Sequence, residues 1–304
     1  MRNDNYTWRR IKKNYDLYIL FIPVLLYFII FQYGPMFGIQ IAFKDFMASK
    51  GIWGSPWKGF QHFERFFSSY NFNIVVKNTL ILSVLQIIFS FPLPILLALL
   101  LNELKNKKFK SLVQTATYAP YFISMVVLVG ILNIFFSPTT GLVNTFIKML
   151  GQDPIYFFGE PQWFRPLYIL SGIWQSTGWQ SIIYLAALSN IDVALHEAAL
   201  VDGATKLQRI FYIDIPGIIP TAVILLILAA GRVMNIGFEK TFLMQTSLNL
   251  DVSEVISTYT YKVGLLNVQY SYATAIGLFN SVINLILITI VNAVSKKYGE
   301  SSLW

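Results

Sequence analysis

The residues best suited to chemistry in this chain lie inside a long apolar run, where two tryptophans and two glutamines interrupt the aliphatic pattern. The face of an indole packs against the C–H groups of a sugar ring, and a primary amide forms hydrogen bonds with hydroxyl groups. Polar side chains in a membrane are costly against lipid, so they face protein or a water-filled path. The pattern indicates a carbohydrate path lined by Trp174, Gln175, Trp179 and Gln180. The alternative is that these side chains join helices through hydrogen bonds.

Four further polar side chains in other apolar runs are candidates for the same path: Tyr118, Tyr121, Asn280 and Asn284. None of the apolar runs contains Asp or Glu. Ion-coupled transporters usually carry the coupling ion on an ionisable group inside the membrane. A conduit whose energy is supplied from elsewhere is therefore favoured, and a secondary, ion-coupled transporter is the alternative.

Six apolar runs must position these side chains, and a membrane span needs about 20 mostly apolar residues. The runs cover residues 17–33, 74–101, 112–136, 166–190, 217–235 and 270–294. Hydrophobic residues make up 55% of the chain and charged residues 12%. A soluble domain has roughly 25% charged residues. The sequence thus predicts an all-α, polytopic protein of the lipid bilayer with six transmembrane helices.

Several classes of function are disfavoured by what the sequence lacks. The net charge of +8 is spread over the ends of the apolar runs, so nucleic acid is not an expected partner. The chain has no cysteine and no P-loop pattern, and its two histidines, His62 and His196, are far apart. We therefore expect no metal site, no cofactor and no catalytic residue. A membrane-embedded enzyme would need a cluster of carboxylates or histidines at one membrane face, which is not found.

The distribution of Lys and Arg predicts that both termini are cytoplasmic. With the N-terminus inside, the cytoplasmic segments hold 13 basic residues in 62 positions, whereas the external segments hold 8 in 103. The basic run between Lys105 and Lys110 is the strongest single contribution. The expected layout is a cytoplasmic segment 1–16, a six-span transmembrane domain 17–294 and a cytoplasmic tail 295–304.

A polar loop between the fourth and fifth runs, residues 191–216, has the composition of a compact folded element. Asp192 is placed to cap a first helix, and Gly203 permits a sharp turn that a residue with a Cβ atom resists. We expect a second short helix over residues 204–213, which ends at Pro216. Such a bent element with small side chains on one face would fit a groove on a soluble protein. An ordinary connecting loop is the alternative.

The loop carries a pattern that resembles a known signature. Glu-Ala-Ala-x-x-x-Gly is followed, after nine residues, by Ile-x-hydrophobic-Pro, and this is similar to the EAA signature of ABC importer permeases. In that family the helix with the signature inserts into a cleft of an ATPase subunit. The resemblance implies that the loop couples the chain to ATP hydrolysis. The expected coupling residues are Glu197, Ala198, Ala199, Asp202, Gly203, Ile213 and Pro216.

The resemblance extends over nearly the whole chain. Segments such as Phe91-Pro92-Leu93-Pro94 and Gly237-Phe238-Glu239-Lys240 are similar to maltose-transporter-type permeases, in the branch assigned to complex oligosaccharides and polysaccharide fragments. The resemblance implies a non-catalytic permease subunit, with a type I importer transmembrane domain, in the bacterial plasma membrane. It also implies a second permease subunit as heterodimer partner and two ATPase subunits that bind ATP and Mg²⁺. An extracellular solute-binding protein would deliver the oligosaccharide.

Overall fold

The computed structural model describes residues 13–298. Four continuous helices in this range are long and apolar enough to cross a membrane, and two bent helix pairs raise the number of candidate spans to six. In chain order we name them span 1 (Tyr15–Phe43), span 2 (Tyr70–Asn102), span 3 (Lys107–Phe122 with Met125–Phe135), span 4 (Pro161–Ser189), span 5 (Lys206–Ala230) and span 6 (Tyr270–Tyr298). The predicted all-α fold class is confirmed.

Short helices and irregular segments connect the spans. The short α-helices are Gly51–Gly54, Gln61–Phe67, Leu142–Met149, Val193–Val201, Phe238–Met244, Leu250–Ser253 and Ile256–Tyr261. A π-helical turn, Lys262–Leu266, precedes span 6. An isolated antiparallel bridge joins Lys44 to Trp57, and no β-strand occurs within residues 13–298.

Span 3 covers the apolar run expected over residues 112–136, but it is sharply bent. Its two helices meet at an angle of 100°. Pro120 lies in a 3₁₀ turn and has no N–H with which to continue the helix. Ile123 is extended, and the hydroxyl of Ser124 accepts a hydrogen bond from the N–H of Val127 at 3.3 Å. This cap begins the second helix, so the bend follows from local sequence.

Span 5 begins earlier than expected. The short helix expected over residues 204–213, ending at Pro216, is wrong, because one helix runs from Lys206 to Ala230. Residues Ile210–Asp214 form a π-helical turn in it, and Pro216 lies in the first turn of the α-helical segment that follows. Pro216 stands where the backbone hydrogen bonding changes from the π-helical to the α-helical pattern, so its missing N–H is accommodated and the helix continues beyond it.

Three apolar clusters hold the spans together. The first, around Phe164, joins spans 2, 3 and 4 to the segment that follows span 5. The second, around Ile276, joins spans 2 and 6, and the third, around Tyr184, joins spans 2, 4 and 5. Helix Tyr15–Phe28 of span 1 has no buried residue, so its apolar side chains remain available to lipid or to another chain.

Candidate coupling loop and translocation path

The helix Val193–Val201, which we call the loop helix, begins as the sequence predicts. The carboxylate of Asp192 accepts a hydrogen bond from the N–H of Ala194 at 2.9 Å, so Asp192 is its N-cap residue. The loop helix leaves span 4 at an angle of 71°. The loop helix therefore runs across the direction of span 4, and its side faces the space beyond the end of that span.

The loop helix ends in a Schellman motif. The N–H of Gly203 donates to the carbonyl of Leu200 at 3.1 Å, and the N–H of Ala204 donates to the carbonyl of Ala199 at 2.8 Å. Gly203 has a φ of +79°, in the left-handed region that glycine adopts without strain. The predicted turn at Gly203 is confirmed. Two signature residues, Ala199 and Gly203, thus take part in the same backbone turn.

Span 5 follows this turn with a capping box. The hydroxyl of Thr205 accepts a hydrogen bond from the N–H of Gln208 at 3.4 Å, and Oε1 of Gln208 accepts one from the N–H of Thr205 at 2.7 Å. The loop helix and span 5 are therefore joined by a short connection that has a well-formed helix end on each side.

A contact between His196 and Asp214 holds the loop helix against span 5. Nε2 of His196 lies 3.3 Å from a carboxylate oxygen of Asp214, whose side chain is 1% exposed. Nearby, a Cβ atom at Gly217 would lie 2.5 Å from Cδ1 of Ile191, so this close approach requires glycine or a shift of Ile191. The loop thus contacts span 5 at two points.

Most of the predicted coupling residues lie on the surface of the loop. The exposed ones are Glu197, Ala198, Asp202, Gly203 and Pro216, and the half-buried ones are Ala199 and Ile213. Large apolar side chains are exposed in the same segment, among them Leu200, Val201 and Tyr212. Val201 is 88% exposed. Exposed apolar side chains in a polar loop favour an interaction site.

A cavity of about 560 Å³ lies among spans 2, 3 and 4 and helix Phe238–Met244. Its lining combines amide, hydroxyl, aromatic and charged side chains, including those of Gln86, Tyr121, Gln175, Gln180, Glu239 and Lys240. Gln180 also lines two further cavities, of about 320 and 600 Å³. Three cavities therefore meet at this one side chain.

Four of the predicted path residues come together at these cavities. Tyr121, Gln175 and Gln180 line the first, and Trp179 lines the third together with Gln180. The rings of Tyr121 and Trp179 stack on each other. Nε2 of Gln175 donates to the carbonyl oxygen of Ile123 at 2.8 Å, so this amide also holds the bend of span 3 against span 4.

Trp174 and Tyr118 lie apart from this group. Trp174 lines a separate groove of about 370 Å³ with apolar side chains of spans 2 and 3, such as Leu97. Tyr118 is half-buried and lines none of the three cavities around Gln180. Neither residue is placed beside the others, and a path role for them stays a prediction.

Asn280 and Asn284 contact the segment that follows span 5. Nδ2 of Asn280 donates to Oδ1 of Asn235 at 2.5 Å, and Oδ1 of Asn284 accepts a hydrogen bond from the N–H of Met234 at 3.0 Å. Both side chains thus fasten span 6 to that segment. A path role for the two asparagines also stays a prediction.

Several polar residues of the first cavity were not among the predicted path residues, including Gln86, Glu239 and Lys240. Gln86 could have been found from sequence, because it is a polar residue inside an apolar run. Glu239 and Lys240 lie outside the six runs, in a segment that carried the family resemblance but indicated no role for either side chain. Within residues 13–298, no group of three or more His, Asp or Glu side chains could hold a metal ion.

Comparison with known proteins identifies the family. Residues 78–300 match the family described as the binding-protein-dependent transport system inner membrane component. The chain belongs to this family. It is therefore a membrane permease subunit of a binding-protein-dependent importer, as the EAA resemblance implied. The comparisons give no support to the alternative of a secondary transporter.

Individual relatives place the chain more narrowly. Protein LplB of Bacillus subtilis (strain 168) is 43% identical over 294 residues, which are 97% of this chain and 92% of the relative. The polygalacturonan/rhamnogalacturonan transport system permease protein YteP of the same organism is 43% identical over 288 residues, 95% of this chain and 90% of the relative. The name of YteP supports the predicted oligosaccharide branch.

Solved structures confirm the type I importer fold. A chain in the crystal structure of a bacterial ABC transporter involved in the import of the acidic polysaccharide alginate matches with a TM-score of 0.89 and 43% identity. The match covers 96% of this chain and 99% of that chain. A bacterial alginate ABC transporter in complex with an alginate pentasaccharide-bound periplasmic protein matches with a TM-score of 0.90 and 42% identity, over 97% and 99% of the two chains.

Proposed function

We propose that this permease forms part of the path of an acidic oligosaccharide and couples that path to ATP hydrolysis through loop 191–216. The observation that carries the proposal is the first cavity, where amides, hydroxyls and aromatic rings of spans 2, 3 and 4 share one wall. Such groups bind a polyhydroxy ligand by hydrogen bonds and ring contacts. Neutral donors and acceptors do this without burying an unpaired charge of their own.

The acidic character of the substrate is supported by the relatives. YteP is named for polygalacturonan and rhamnogalacturonan, and the alginate importer for an acidic polysaccharide. Galacturonan and alginate are both built from sugars that carry a carboxylate. A chain that is more than 40% identical to both proteins over most of its length is proposed to carry fragments of a related uronate polymer.

The proposed coupling element is the loop helix with its two capped ends. It is fixed to span 5 through His196 and Asp214 and exposes apolar side chains such as Val201. We assign this surface to an ATPase subunit on the cytoplasmic side, and ATP and Mg²⁺ to a pair of such subunits. A second permease subunit would complete the path as a heterodimer, and an extracellular binding protein would deliver the substrate.

The proposal is tested on the assembled importer, with both permeases, the ATPase subunits and the binding protein in lipid nanodiscs. Uronate and neutral oligosaccharides of equal length are loaded on the binding protein, and ATP hydrolysis is measured. Uronate-loaded binding protein should stimulate hydrolysis above the level of unloaded binding protein. Stimulation by neutral oligosaccharides alone would contradict the acidic substrate, and no stimulation by any oligosaccharide would contradict the carbohydrate path.

A further inference from the structure

Lys240 is a buried lysine in the wall of the first cavity. The predicted path residues are all neutral, and none of them gives this lysine a role. The residue is 5% exposed. Nζ donates to the carbonyl oxygen of Tyr168 at 2.7 Å and lies 4.6 Å from the centroid of the Tyr168 ring. A Cβ atom at Gly172 would lie 3.1 Å from Nζ, so the glycine leaves room for the ammonium group. Lys240, Tyr168 and Gly172 all line the cavity, which places this group at its wall.

The ammonium group of Lys240 has no carboxylate partner in the described part of the chain. No Asp or Glu oxygen of residues 13–298 forms an ion pair with it, whereas Lys262 pairs with Glu254 at 2.8 Å. A buried charge without a counterion is unfavourable. Desolvation by burial accordingly lowers the pKa of Lys240 from 10.5 to about 7. The carbonyl of Tyr168 and its ring face offset part of this cost, but neither carries a negative charge.

We propose that Lys240 binds the carboxylate of the substrate in the path and makes the permease selective for acidic oligosaccharides. This inference rests on the proposed function, because it assigns recognition to the same cavity. A uronate carboxylate supplies the missing counterion through a charge-assisted hydrogen bond to Nζ. The amides of Gln86 and Gln180, which line the same cavity, bind hydroxyl groups of the sugar and are indifferent to its charge.

This role gives uptake a defined pH dependence. The helices packed against helix Phe238–Met244 carry the titratable side chains Arg165, Tyr168, Tyr184, Tyr259 and Tyr261. The cavity adds Tyr121 and Glu239. Lys240 is charged below pH 7 and loses its proton as the pH rises through about 7. A sugar carboxylate stays ionised over this range, so uptake of a uronate falls as the pH rises.

The experiment measures uptake of a uronate trisaccharide and of its methyl ester, which is neutral, by the complete importer in proteoliposomes. Each substrate is delivered on saturating binding protein, so that the affinity of that protein does not limit the rate. The variants are Lys240→Gln, Lys240→Arg and, as a matched control, Lys148→Gln. Lys148 is an exposed lysine of helix Leu142–Met149 and lies outside the cavity. Basal ATP hydrolysis reports assembly of each complex.

Lys240→Gln should lower the maximal rate of uronate uptake about tenfold, because a charged hydrogen bond is lost, and leave uptake of the ester unchanged. Lys240→Arg keeps a charge at every pH and should remove the decline of uronate uptake above pH 7. Equal loss of both substrates in Lys240→Gln would overturn the selectivity role. If the Lys240→Gln complex does not assemble, the Lys240→Arg complex provides the test. The selectivity role is overturned if uronate uptake by Lys240→Arg has the same pH profile as uptake by the unmodified importer. Absence of uronate uptake by the unmodified importer would contradict the proposed function itself.

Discussion

The rings of Tyr121 and Trp179 stack with their centroids 4.6 Å apart and an interplanar angle of 4°. The stack joins the 3₁₀ turn at the bend of span 3 to the middle of span 4, next to Gln180. Trp174 lies on another face of span 4, against apolar side chains. The two tryptophans that the sequence places in one group therefore have different surroundings.

Trp179→Ala is expected to lower oligosaccharide uptake more than Trp174→Ala does. Loss of an aromatic pair removes about 0.5–1.5 kcal/mol of interaction, which corresponds to a rate change of about twofold to about tenfold. Trp179→Phe retains a ring and is the matched control. Uptake per assembled complex is the measurement, with basal ATP hydrolysis as the check on assembly. A larger loss in Trp174→Ala than in Trp179→Ala would show that the groove, not the stack, belongs to the path.

Gly203→Val is expected to uncouple transport while the protein still reaches the membrane. A Cβ atom at this position meets no atom within 4 Å, so the effect comes from the φ of +79° and not from a clash within the chain. A β-branched residue in the left-handed region costs at least about 1–2 kcal/mol, whereas Asn adopts that region more readily. Gly203→Asn should therefore retain more uptake and stimulated ATP hydrolysis than Gly203→Val. If both variants and the unmodified protein show equal uptake and equal stimulated ATP hydrolysis, the turn at Gly203 has no role in coupling.

His196 and Asp214 are expected to act as a pair. His196→Ala leaves the buried carboxylate of Asp214 without its partner, at a cost of about 1–3 kcal/mol, and loosens the loop helix from span 5. ATP hydrolysis stimulated by loaded binding protein should fall several-fold, and the double variant His196→Ala/Asp214→Ala should be no worse than the single one. Asp153→Asn, at an exposed site, is the control. Strictly additive effects in the double variant would mean that the two side chains act independently.

Cysteine labelling tests the orientation, because the natural chain contains no cysteine. In intact cells, Lys107→Cys, Lys206→Cys and Lys297→Cys should be shielded from a membrane-impermeant thiol reagent. Lys148→Cys, in an expected external segment, should react and so serves as the positive control. Labelling of position 206 from outside would reverse the topology and separate the loop from any cytoplasmic ATPase.

The features that could be predicted from sequence are those with local determinants. The cap at Asp192 and the turn at Gly203 depend on residues that are close neighbours in the chain. The continuation of span 5 past Pro216 was missed because the π-helical turn Ile210–Asp214 has no clear signature in the residue pattern. A proline that could end a helix is instead in the first turn of the next helical segment.

The path could be predicted only in part, because it depends on which faces meet. Adjacent residues of a helix point about 100° apart, so Trp174 and Gln175 face different neighbours although they are consecutive. The bend of span 3 decides which of these two side chains is at the cavity, because the carbonyl oxygen of Ile123 at the bend accepts a hydrogen bond from Gln175. Lys240 reaches the same cavity through a contact with Tyr168, 72 residues away in sequence. Such a contact leaves no local pattern.

Coupled import of an acidic oligosaccharide is tested by accumulation of a labelled uronate oligosaccharide in proteoliposomes that hold the complete importer. We expect ATP-dependent accumulation that requires loaded binding protein on the outside and disappears in the Gly203→Val complex. Accumulation driven by an ion gradient without ATP, or ATP-dependent accumulation of neutral oligosaccharides alone, would contradict this expectation.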